Sequence, residues 1–366
     1  MTPLNVYEAG LCSAIPTIMR QCEYDSISRS GICYEDSCCT SVETATSWHY
    51  RLAQASHVGF SACGIVLLFW YVLKLSSKHM LPANVRVLVN IMLLLMLTHS
   101  VDMIIFHIYH IVQSFRIPPD NPCFVREKVS FCAPFRYTFS FCTMTLGICT
   151  YCIYIDRLAC ALYKNYARHQ KWILALLLVK LTVISVSLVL WVYRKEDPDA
   201  YVLSCINVPP NSARDMALAT AVILPVNIVC FFLSIVLFRV FKKRVKGSSS
   251  RFDITLHFTA AVDVESSEFL YYTTGAQAAL MTLFSVCSLA MRFFYYKLPR
   301  PIAITVATLS YIFSINSVII PWVMMRFAKS SSVQRKSRIS GHVAMKTMGM
   351  EGADHYFGMM KSQWEV

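Results

Sequence analysis

The chain has 366 residues, 56% of them hydrophobic and only 15% charged. A soluble domain carries about 25% charged residues, so this composition excludes a water-soluble enzyme and leaves lipid as the solvent for most of the surface. The net charge of +13 does not argue for a nucleic-acid partner, because basic residues beside membrane spans set orientation.

Residues 1–55 read as a polar, cysteine-rich extracellular segment. Seven apolar stretches follow, near 56–75, 84–112, 133–155, 172–193, 216–238, 273–294 and 301–324. A helix needs roughly 20 mostly apolar residues to cross a bilayer. Backbone groups in lipid must bond within their own segment, so each stretch is expected to be a helix. The predicted fold is an all-α membrane protein, with a seven-transmembrane-helix bundle over 56–324. A basic, Ser-rich cytosolic tail over 325–366 is expected to be largely disordered. Lys and Arg are enriched in the segments that are cytosolic when the N-terminus is outside, so the expected orientation is N-terminus outside, C-terminus cytosolic.

The second span carries His99, Asp102, His107 and His110. At helical spacing they fall within about 140° of one face. Ionisable groups at membrane depth are costly and face the bundle interior, a cavity or a partner. The stripe is therefore a candidate lining for a small-molecule ligand in the outer half, with histidines that could add pH sensitivity. The plainer alternative is an interhelical hydrogen-bond network.

Arg136 opens the third span. It is placed either to pair with Asp102 or to snorkel to the interface. The same span ends in Ile155-Asp156-Arg157-Leu158. An acid beside an arginine at that depth can hold the arginine internally, and releasing it would offer a donor to a partner helix. Lys180 lies midway along the fourth span and is expected to face protein. Pro225 and Pro321 lie inside the fifth and seventh spans, where proline bends a helix.

The longest cytosolic loop, 239–270, opens with Phe241-Lys242-Lys243-Arg244. These cations are expected to meet anionic lipid and a cytosolic partner. The second half of the loop mixes apolar and acidic residues and is a candidate extension of the sixth helix. Among the 15 cysteines, those on the outer side can form disulfides. The expected pair is Cys123, before the third span, with Cys205, after the fourth. Cysteines within spans are expected to act as small apolar packing residues. No catalytic loop, nucleophile elbow or metal-ligand spacing is present, so neither an enzyme nor a cofactor nor a metal site is expected.

Several stretches together resemble one family. They are Cys39-Thr40-Ser41-Val42-Glu43 leading to Ser47 and Arg51, Asn84 opening the second span, and His99 within it. Pro122-Cys123, Cys132 and Arg136 follow, and then Tyr154-Ile155-Asp156-Arg157-Leu158-Ala159-Cys160-Ala161 with Asn165-Tyr166. The chain resembles the nematode serpentine chemoreceptors of the Sra superfamily, class alpha or alpha/beta, over about residues 35–330. The resemblance implies a seven-transmembrane G-protein-coupled receptor in the cell membrane, with the cilia of sensory neurons as the expected setting. It implies a small-molecule ligand, a heterotrimeric G protein coupled through Asp156 and Arg157 with the basic residues Lys242, Lys243 and Arg244, and no nucleic acid. The third span lacks the aromatic that usually follows Asp-Arg in the wider receptor superfamily. Asn316 and Pro321 are not adjacent, as they are in most rhodopsin-like receptors, so the activation residues of that seventh span are not carried over. The alternatives are a seven-span ligand-gated channel, with the opposite orientation, or a proton-coupled transporter using the His/Asp stripe.

Overall fold

A computed structural model of the chain describes residues 34–74, 81–118, 122–163, 165–248, 254–294 and 297–347. A short helix, α1 (Tyr34–Thr46), precedes six long ones: α2 (Trp48–Lys74), α3 (Ala83–Phe115), α4 (Val129–Leu162), α5 (Tyr166–Tyr193), α6 (Pro210–Ser248) and α7 (Ile254–Phe294). The seventh rod of the bundle is in two pieces, α8 (Arg300–Leu309) and α9 (Phe313–Thr347). Among the described residues, helices α2 to α6 and the rod Pro301–Val333 are long and apolar enough to cross a membrane. The architecture is an all-α seven-helix membrane bundle.

The outward faces show why lipid must be the solvent. On α5 the residues turned inward are Leu177, Leu181, Ser185 and Val189, one helical turn apart. Leu176, Val179, Val183 and Leu190 are exposed. In water such a face would be an aggregation surface; in hydrocarbon it carries no such penalty. Lys180 stands on this exposed face, not against protein as expected, because α5 packs through only one narrow stripe.

Helix α4 is the axis of the bundle and packs on α3, α5, α6 and α7. Close approach is set by small residues. A Cβ at Gly147 would lie 2.9 Å from the Ile223 side chain of α6, and one at Gly64 of α2 would lie 2.8 Å from the Ser317 carbonyl of α9. The main core gathers Leu88, Met92 and Met96 of α3 with Cys149 and Ile153 of α4, Phe269 of α7 and Met324 of α9. Cys142, Cys149, Cys152 and Cys230 belong to it as packing residues.

At one end, two short strands close the bundle: β1 (Glu127–Lys128) pairs antiparallel with β2 (Tyr201–Val202), Glu127 opposite Val202. This ladder lays the loop after α5 along the start of α4. It brings Cys205 to Cys132, and these two form a disulfide with Cα atoms 4.8 Å apart. Cys123 sits in a 3₁₀ turn, Pro122–Val125, whose Val125 packs on Val42 and Ala45 of α1. Its disulfide partner is therefore Cys38, at a Cα separation of 4.9 Å. The expected Cys123–Cys205 pair is corrected to these two bonds.

Two other expectations change. The seventh span is broken at 310–312. The Ser310 and Tyr311 amides bond to the carbonyls of Val306 and Thr308, which tightens and ends the last turn of α8. The tail is not irregular from residue 325, since α9 runs through Pro321 and on to Thr347. Helix α6 likewise runs on through Pro225.

Candidate functional site

The chemistry divides between the two ends of the bundle. At the end opposite the disulfides, Arg157 lies in the last turns of α4, and its side chain and that of Asp156 are both fully buried. Neighbours in a helix do not normally face one another, but the long guanidinium folds back. Its Nε and Nη2 donate to Asp156 Oδ2 at 3.1 and 2.7 Å. Nη1 donates across to α7, to Asp263 Oδ1 at 3.0 Å and Ser266 Oγ at 3.4 Å. Nη2 also reaches the Tyr166 hydroxyl at 3.2 Å.

Asp156 Oδ1 is held from two other helices. The Tyr166 hydroxyl of α5 and Asn84 Nδ2 of α3 each donate to it at 2.7 Å. The cluster thus joins α3, α4, α5 and α7 around one ion pair. Helix α6 reaches the same place through Arg244, whose Nη2 donates to the Ala161 carbonyl at 2.6 Å. That carbonyl is one of those left over at the end of α4. Lys242 and Lys243 are exposed beside it. Asp263 lies ahead of the apolar run of α7. Burial pushes its carboxyl above the ordinary value, and the Arg157 charge pulls it back.

The disulfide end holds the second polar system. His99, Asp102, His107 and His110 are all buried, as their spacing predicted. Their partners are internal. His99 Nε2 lies 3.1 Å from the Tyr311 hydroxyl, which lies 3.2 Å from Thr143 Oγ1. His110 accepts the Cys205 amide at Nε2, 3.1 Å away, and its Nδ1 faces Gln113 Oε1 at 3.2 Å. His107 stacks on His57 of α2 with ring centres 5.0 Å apart. Neither His107 ring nitrogen, nor Asp102 Oδ2, has a hydrogen-bond partner among the described residues.

Arg136 does not pair with Asp102. It forms a buried ion pair with Glu196, in the turn after α5, and Tyr137 donates to the other Glu196 oxygen at 2.6 Å. The turn places an acid at the depth of Arg136, whereas Asp102 lies further along its helix.

His57 spans the break in the seventh rod. Its Nε2 is 2.9 Å from the Thr308 carbonyl, and its Nδ1 is 2.9 Å from Ser314 Oγ. A carbonyl only accepts, so the proton sits on Nε2 and Ser314 donates to Nδ1. Beside this break lies a cavity of about 110 Å³. Its walls come from α4 (Phe139, Ser140, Thr143), α6 (Met216, Thr220), α7 (Phe284), the break itself (Tyr311) and the start of α9 (Phe313). None of the five expected ligand residues lines it; His99 stands behind the wall, bonded to Tyr311 and stacked on Phe139.

The residues that sequence reasoning missed had unequal signals. His57 is ionisable within a span and could have been grouped with the stripe on that ground. Asp263 fell in a segment read only as a helix extension. Glu196 and Tyr311 carried no signal, since one is a loop acid and the other an aromatic among many.

Comparison with known proteins adds family evidence. Residues 35–365 match the family described as serpentine type 7TM GPCR receptor class ab chemoreceptor. The chain is 61% identical over 365 residues to serpentine receptor class beta-18 of Caenorhabditis elegans, covering 100% of both. It is 22% identical to serpentine receptor class beta-17 of the same organism, over 86% of this chain and 87% of that one. It is 20% identical to serpentine receptor class alpha-10, also of that organism, over 79% and 85% respectively.

Proposed function

Because the chain belongs to the serpentine seven-transmembrane receptors of class ab, we propose that it binds a small chemical ligand at its disulfide end and activates a heterotrimeric G protein at its Arg157 end. The family is one of chemoreceptors, so the chain is a multi-pass membrane receptor and not an enzyme. In the proposed orientation the N-terminus and the disulfides are outside, and the Arg157 cluster, Lys242, Lys243 and Arg244 face the cytosol. The setting in keeping with the family is the cell membrane of sensory neurons, including their cilia.

The observation that carries the reading is the ion pair from Arg157 to Asp263, which ties α4 to α7. With that bond made, the two helices hold together. A ligand that binds better when they part shifts the equilibrium by its difference in affinity. Parting frees Arg157 to donate to a docking helix in the groove so opened. The exposed lysines of α6 would lie against anionic lipid headgroups.

The test has two parts. Tags on the two termini, stained in intact and permeabilised cells, give orientation. Nucleotide exchange on purified G protein gives coupling, and Asp263→Ala is expected to raise basal exchange by cutting the tie. An N-terminus inside, or ligand-gated current with no exchange, would favour a channel and overturn the reading.

A further inference from the structure

We infer that the cavity beside Tyr311 takes a small, uncharged, mostly apolar molecule carrying one hydrogen-bonding oxygen, read by the Tyr311 and Thr143 hydroxyls; this rests on the receptor reading above and names its ligand class.

The first argument is a census of charge. The side-chain hydroxyls on the cavity wall belong to Ser140, Thr143, Thr220 and Tyr311, and among the described residues no Lys, Arg, His, Asp or Glu lines it. Arg136, on the same helix as Phe139 and Thr143, is held by Glu196. An ionised ligand would leave water and meet no counter-charge, which is strongly unfavourable. Any ion of matched shape should therefore bind at least about a hundredfold more weakly than its neutral analogue.

The second argument counts hydroxyls. Ser140 Oγ is engaged with the Tyr193 hydroxyl at 2.6 Å, and Thr220 Oγ1 donates to the Met216 carbonyl at 3.0 Å. Tyr311 and Thr143 form a short chain with His99. A chain of two hydroxyls and one imidazole has donors and lone pairs left over, so it can take one further polar partner. That partner is a single alcohol or carbonyl oxygen. The rest of the wall is Phe139, Met216, Phe284 and their apolar neighbours.

The third argument is the backbone. Non-helical chain at membrane depth occurs where it is buried in protein or lines a cavity. The break at 310–312 does so, and His57 bridges it from α2. The cavity is thus built into the fold at the break in the seventh rod, which is where a ligand contact would alter the tilt of α9. Its size, about 110 Å³, is somewhat below the apolar cavity of about 150 Å³ that takes benzene. A ligand of about four or five heavy atoms fits without repacking.

The test uses the full chain in lipid nanodiscs at neutral pH, with butanol, butanone, butyrate and butylammonium as probes and dissociation constants from ligand-detected NMR. Thr220→Phe fills the cavity and separates site binding from partition into lipid. Butanol and butanone are expected to bind in a manner that Thr220→Phe abolishes, at least about a hundredfold tighter than either ion. Tyr311→Phe should weaken butanol about fivefold. Binding of either ion as tight as butanol, and equally sensitive to Thr220→Phe, overturns the ligand class. So does the absence of Thr220→Phe-sensitive binding by any probe. The Asp263→Ala exchange assay on the same preparation separates the two readings: raised exchange keeps the receptor function when the ligand class fails, and unchanged exchange removes both.

Discussion

Helix α4 carries a buried arginine near each end, and the two are held in opposite ways. Both side chains are fully buried. Every nitrogen of the Arg157 guanidinium has a partner, and those partners come from α4, α5 and α7. Among the described residues Arg136 bonds through Nη2, to Glu196 and the Val129 carbonyl, while its Nε and Nη1 have no hydrogen-bond partner there. A closed network across helices fixes one arrangement of the bundle. A partly satisfied arginine tied to a turn fixes the turn and leaves the helices less constrained. The difference suits an end that must switch and an end that must be roofed.

The sharpest way to break this comparison is to remove each arginine. Arg157→Leu leaves Asp156 and Asp263 buried without their cation, and should cost about 3–5 kcal/mol of stability. Arg136→Leu strands one buried carboxylate, Glu196, where Arg157→Leu strands two, and should cost less, about 3 kcal/mol. Thermal unfolding in nanodiscs gives both values. If Arg136 proves the costlier loss, the roofed end is the tighter network and the assignment of roles reverses.

The disulfides come next. Paired Cys132→Ser and Cys205→Ser substitutions release a loop of sequence separation 73 and should cost about 2–5 kcal/mol. Peptide mapping should recover Cys38–Cys123 and Cys132–Cys205. A Cys123–Cys205 peptide would restore the pairing expected from sequence and detach α1 from the roof.

A smaller contrast separates two stacked histidines. His57→Phe breaks the bridge across 310–312 and should cost about 1–3 kcal/mol, because the Thr308 carbonyl and Ser314 lose a partner. His107→Phe removes a ring with no partner for either nitrogen and should be nearly neutral in melting temperature. Equal losses would show that His107 holds a bond the structure does not contain.

These pairs also mark what could be read from the chain. Span positions were legible because hydrophobic runs in lipid have one backbone solution. The stripe on α3 was legible as buried, since charge at depth is costly whatever its partner. The partners were not legible. Glu196, Asp263 and Tyr311 reach their contacts only because β1–β2 pairing, the extension of α7 and the break after Leu309 carry them there. The extension was readable from the mixed apolar and acidic residues of 252–270, borne out by a helix that starts at Ile254, but not the partner it gives Asp263; hydropathy registers neither of the other two events. The cavity was also hidden, because its wall is apolar residues from four elements, each indistinguishable from core.

The smallest expected effect tests the Arg157 end directly. Burial raises the Asp263 carboxyl above its ordinary value of 3.8, against the pull of Arg157. The folded chain therefore takes up this proton at a pH where the unfolded chain has released it. This group's contribution to stability is present below the unfolded value and is lost as the pH rises through the folded one. A protonated Asp263 is a weaker acceptor for Arg157. Acidification into the window just above the ordinary value should thus loosen the tie between α4 and α7 without any loss of stability from this group. Spin labels at the exposed positions Leu162 and Tyr272 should show a broader distance distribution at the acid end of that window. Asp263→Asn cannot ionise, and should show the broad distribution at every pH. A pH-independent, narrow distribution in the unsubstituted chain would mean that Arg157 is held by Asp156 and Tyr166 alone. The switch would then lie within α4 and α5 and not between α4 and α7.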